Sequence, residues 1–122
     1  MIAKITAIGP RGSVQVPSDA TVMDMAGKTI MPGLVDAHWH GSMATDGIIP
    51  QQSRVDYASL AFGVTTIHDP SNDSSEIFAH SEYARAGRVV APRIFSTGTI
   101  LYGAQTPFTA QIDRLEDAQS TL

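Results

Sequence analysis

The chain has 122 residues, 43% hydrophobic and 16% charged, with 12 acidic against 8 basic side chains and a formal net charge of −4; this is globular composition and the size of one domain. The acidic balance, with no Lys/Arg cluster, argues against a nucleic-acid partner and an anionic membrane surface, and no apolar run approaches the ~20 residues that span a bilayer. The absence of cysteine excludes disulfides, thiolate catalysis and zinc–thiolate centres.

Met1 to Pro10 has one Lys and no long apolar core, so no signal peptide is visible. A cysteine-free chain folds in either redox setting, which leaves cytoplasmic and periplasmic locations open. Residues 1–29 are strand-like and punctuated by turns. Ile2, Ile5 and Ile8 precede the turn cluster Gly9-Pro10-Arg11-Gly12. Ser13 to Val16 and Thr21 to Met25 alternate polar and apolar, as half-buried strands do, with turns at Pro17-Ser18-Asp19-Ala20 and Ala26-Gly27-Lys28. The expectation is a small antiparallel β unit.

The pattern changes after Thr29. Ile30 to His40 enters through Pro32-Gly33 and reads as a buried strand, followed by a loop from Gly41 to Gln52. Ser53 is placed to cap a helix running to about Phe62, with Val55, Ala58, Leu60 and Ala61 as its apolar face and Gly63 as its stop. Val64 to Asp69 is a β-branched strand. A second helix opens at Ser74 or Ser75, carries Ile77, Phe78 and Tyr83, and closes at Gly87. Arg93 to Gly98 reads as a third strand and Ala110 to Leu122 as a third helix. Strands alternating with helices imply a parallel sheet with crossover connections.

His38-Trp39-His40 sits at the C-terminal end of the first of these strands. Side chains two apart share a face, so Asp36, His38 and His40 are expected to point one way and Trp39 the other. Two imidazoles on one face can hold a divalent ion, and the C-terminal ends of parallel strands are where such folds place their active sites. Two histidines that are merely exposed or hydrogen-bonded at a strand end fit the same short pattern.

The wider run narrows this choice. Gly27-Lys28-Thr29-Ile30-Met31-Pro32-Gly33-Leu34-Val35-Asp36-Ala37-His38-Trp39-His40 resembles the first-strand signature of the amidohydrolase superfamily, which follows a small N-terminal β domain. Ala61 to Asp69 and Ala91 to Gly98 look like the second and third barrel strands. The nearest subgroup in pattern is the imidazolonepropionase-like and Xaa-Pro-dipeptidase-like enzymes. The resemblance implies an α/β fold, the N-terminal part of a TIM (β/α)8 barrel preceded by an antiparallel β-sandwich segment. Residues 1–29 are then part of a composite β domain, and residues 30–122 hold three of about eight βα units.

The resemblance also implies a function: hydrolysis of a C–N bond in a small-molecule amide, a cyclic amide or a dipeptide by metal-activated water. His38 and His40 would be ligands to one or two divalent ions, zinc being the expected metal. The general base and the other ligands are expected outside this chain, which as a fragment is expected to be inactive alone and to be either marginally folded or held by self-association through unpaired barrel edges. Asp36 is read either as orienting a ligating His or as a structural acceptor of backbone N–H groups. His68 and Asp69 are candidates for a role behind the ligands or on the substrate side, with strand-end packing and turn chemistry as the other reading. Trp39 is read as packing and His80 as solvated. A deaminase of the same superfamily and a non-catalytic barrel piece are the alternative functions.

Overall fold

A computed structural model describes residues 4–106 and 109–121. The chain divides into two compact units, Met1–Met31 and Pro32–Leu122.

In the first unit, turns form where the sequence places them. Ser13 N–H donates to Pro10 O at 3.0 Å, Ala20 N–H to Pro17 O at 3.1 Å and Lys28 N–H to Met25 O at 2.9 Å. The strands expected between them do not form among the described residues: no ladder is present before Leu34, and Ile5, Ile8, Val22 and Met23 are all more than two-thirds exposed. Alternation supplies a propensity, but a strand exists only against a paired neighbour, and short isolated hairpins are marginal in water.

The second unit is built on β1 (Leu34–Asp36), β2 (Val64–Asp69) and β3 (Arg93–Ser96), in sheet order β1-β2-β3 with both pairings parallel. The first helix, α1 (Arg54–Ala61), starts at Ser53, whose Oγ accepts the Asp56 N–H at 3.3 Å, and stops before Gly63 at φ +80°. The second, α2 (Ser74–Arg85), is capped not by a serine but by Asp73, whose carboxylate accepts from the Ser75 and Glu76 N–H groups at 2.8 and 3.1 Å. The Ser75 hydroxyl and the Glu76 N–H hold the Asp73 carboxyl below its usual range.

One face of the sheet carries the core. Ile67 and Ile94 are register partners and so share a face. With Ile77 of α2 and Met43 of the first loop they make a buried cluster, against which Trp39, Val64, Ala84 and Ala91 pack. The register pair His68 and Phe95 lies on the other face, where Phe95 is 56% exposed.

The inward helix faces differ from the expected ones. In α1, Asp56 is fully buried, whereas Ala58 and Ala61 are exposed. In α2, Ile77 and His80 are buried, and Phe78 and Tyr83 are about half exposed. His80 is therefore not solvated. The third helix is also shorter than expected. Thr109–Gln111 forms β5, parallel to β4 (Ile100–Tyr102), and α3 spans Leu115–Thr121. Its start is set by Asp117, whose Oδ2 accepts the Asp113 and Arg114 N–H groups at 3.1 and 2.9 Å.

Candidate metal-binding site

β1 ends at Asp36, so His38 and His40 lie just beyond the strand, not within it as expected. The Asp36 side chain explains the early end: its Oδ1 accepts the His38 N–H at 3.1 Å, a local turn that takes the place of a ladder bond. Asp36 thus acts as an acceptor of backbone N–H.

The chain rejoins β2 at once, with Trp39 N–H donating to His68 O at 2.9 Å. Trp39 packs onto the buried cluster, while His38 and His40 are exposed. The opposition of Trp39 to the two histidines therefore holds, although a turn and not strand pleating produces it. Gly41 permits this, because a Cβ there would collide with the Trp39 ring. The His38 and His40 rings lie edge to face, with centroids 4.9 Å apart and planes at 68°.

His40 is fixed from behind. Its Nδ1 lies 3.1 Å from Ser71 Oγ and 3.4 Å from Asp69 Oδ1. Asp69 is fully buried at the end of β2; its Oδ1 accepts Ser71 N–H at 2.9 Å and its Oδ2 accepts Asn72 Nδ2–H at 2.8 Å. Asp69 and Ser71 thus both lie against Nδ1, on the side of the ring away from Nε2. The Asn72 amide also donates to Gly41 O at 3.0 Å, which ties the loop after β2 to the loop after β1.

The structure thus joins His38 to His40 and His40 to Asp69. It sets His68 one residue earlier on β2, engaged through its carbonyl with Trp39. Ser71 and Asn72 are site residues to which the sequence analysis assigns no role. Their signal was the polar run Ser71-Asn72-Asp73 directly after a strand end.

A cavity of about 880 Å³ opens beside His40, lined by Met43, Ser71, Asn72, Glu76 and Thr99 among others. It is walled by the segments that follow the three parallel strands, the end where parallel α/β folds carry ligands. Among the described residues, no three His, Asp or Glu side chains converge as a metal site. The donor set of His38 and His40 fits part of the shell of an imidazole-binding divalent ion, and the shell needs further ligands.

Over 65 residues, 52% of this chain, the sequence is 40% identical to an enamidase from Eubacterium barkeri. That stretch covers 16% of the enamidase. No family model matches the chain, and no solved structure matches it significantly.

Proposed function

We propose that this chain carries the first ligand pair of a metal-dependent amidohydrolase that cleaves a C–N bond in a small-molecule amide, a cyclic amide or a dipeptide. The observation that carries the reading is the His38–His40 ring pair, with His40 lining the cavity and its Nδ1 beside Ser71 and Asp69, which leaves Nε2 as the nitrogen to face a metal. The likeness to an enamidase agrees with an amide as the substrate class.

In this reading His38 and His40 hold a divalent ion, zinc in the first instance, which supplies Lewis acidity and acidifies water. Asp69 and Ser71 orient His40, and the cavity beside it admits the substrate. The remaining ligands and the general base come from residues outside this chain. The parallel order β1-β2-β3 with its intervening helices agrees with the opening of a (β/α)8 barrel, and residues 1–29 would belong to a composite β domain.

The test is to express the full-length parent, measure its metal content, and assay cyclic amides, dipeptides and ring amidines. Amide hydrolysis that is lost on chelation, and in a His38→Ala, His40→Ala double variant, supports the proposal. Ammonia release from amidines alone would reassign the protein as a deaminase. Undiminished amide hydrolysis after chelation would overturn the metal reading.

A further inference from the structure

Away from the histidine pair, the second unit contains a buried polar contact of unusual composition. His80 and Asp56 are both fully buried. His80 Nε2 lies 2.8 Å from Asp56 Oδ2, and His80 Nδ1 lies 3.1 Å from the Met43 carbonyl. The contact joins α1, α2 and the loop that follows His40. We infer that Asp56 and His80 are positioning residues that share one proton, and that this proton holds the Gly41–Gly47 loop as the cavity wall beside His40.

The hydrogen-bond inventory dictates the proton count. A carbonyl only accepts, so Nδ1 must carry a hydrogen whenever the Met43 contact is made. Nε2 then faces a carboxylate oxygen at hydrogen-bond distance. Without a proton between them, two lone pairs oppose each other where water cannot intervene, which is costly. The proton lies on Nε2 and is donated to Oδ2, so the pair holds one more than a neutral His beside an ionised Asp.

The surroundings favour keeping it. Among the described residues Asp56 is the charged group against the ring, and the loop presents the Met43 carbonyl. On α2 itself Glu76, one turn earlier, is engaged with Gly47 N–H at 3.1 Å. The Asp56 hydrogen bond, the opposite charge and the Met43 carbonyl raise the His80 pKa, while burial lowers it. Among the described residues Asp56 Oδ1 is buried with no hydrogen-bond partner, and the carboxylate is held through the His80 contact at Oδ2.

The loop meets α2 and its entry at three points. Asn72 holds the Gly41 carbonyl, His80 the Met43 carbonyl and Glu76 the Gly47 N–H. Glu76 and His80 are four apart, on one helix face. At the Glu76 contact, Thr45 and Ile48 exchange two backbone hydrogen bonds around Asp46 and Gly47, both at positive φ. The Met43 contact anchors the chain just before this turn.

The bearing of this clamp on metal binding rests on the function proposed above; the clamp itself does not, and it is tested on the metal-free full chain. The ring nitrogens of His80 and the Met43 and Ala44 amides are followed by NMR as pH is raised from 6. Both ring nitrogens should stay protonated above the ordinary histidine midpoint of 6.5, and the two amides should shift with the same midpoint as the ring. In Asp56→Asn the side-chain amide can donate to a neutral Nε2, so the contacts survive without the shared proton. There the Met43 and Ala44 signals should stay near their low-pH positions and show no midpoint. An ordinary His80 titration, loop amides that ignore it, or a loop midpoint that persists in Asp56→Asn would each overturn the inference.

Discussion

Removing the Asp56 carboxylate should be among the most damaging single changes to this chain. Asp56 and His80 are both fully excluded from solvent and 2.8 Å apart. Asp56→Ala leaves the His80 ring buried opposite nothing, and breaking such a pair from one side costs about 3–5 kcal/mol. A domain of roughly 90 residues has a total stability of about 5–13 kcal/mol, so this one side chain accounts for roughly a quarter or more of it. With a urea slope of about 1–2 kcal/mol/M, the midpoint should fall by roughly 1.5 M or more. Replacing both partners by apolar residues of similar size, Asp56→Leu with His80→Phe, removes the stranded group. What remains is the Met43 carbonyl without its donor, a cost of about 1–3 kcal/mol. The double variant should therefore be more stable than the single one, which a double-mutant cycle from urea melts reads directly. A single-variant cost below about 1 kcal/mol, the range of exposed pairs, or strictly additive changes would refute the reasoning.

Stability should also depend on pH through His80. Its pKa is raised in the folded chain by the Asp56 contact, so its contribution is complete below the unfolded value of about 6.5 and is lost as pH rises through the folded value. The urea midpoint should fall across that window in the native chain and stay flat in Asp56→Asn. On the proposed function, Asp69→Asn should weaken metal binding about 10- to 100-fold, because it removes the carboxylate that lies 3.4 Å from His40 Nδ1; unchanged affinity by calorimetry would argue against that role. Edge strands β1 and β3 and the exposed Val35 and Phe95 predict self-association of the chain, and light scattering that reports a monomer across micromolar concentrations would contradict it.

The sequence was most legible where local chemistry and tertiary packing agree. β2 spans the expected residues because a β-branched run flanked by Gly63 and Pro70 has few alternatives. The start of α1 follows from Ser53 and its end from Gly63 in the same way. The leader was misread because alternation reports propensity and not the presence of a partner strand. β4 and β5 were missed because their pairing joins two three-residue segments with no pattern of their own. The sequence reading of His80 as solvated follows the polar Ser81 and Glu82 after it, although it follows Ile77 by three and precedes Ala84 by four, on the stripe that faces the core. At the candidate site, period-two reasoning put His38 and His40 on one side for a reason the structure replaces. The Asp36 turn, with Trp39 anchored in the core, brings the two rings together.

His38 and His40 are proposed to bind one divalent ion together, His40 through Nε2, and zinc titration of the chain followed by imidazole NMR reads this out. The His38 and His40 rings should respond together and saturate at one zinc per pair, with the His40 shifts marking Nε2 as the bound nitrogen, and the response should vanish in the His38→Ala, His40→Ala double variant. Zinc that leaves both rings unchanged, or that binds the double variant as tightly as the native chain, would contradict it.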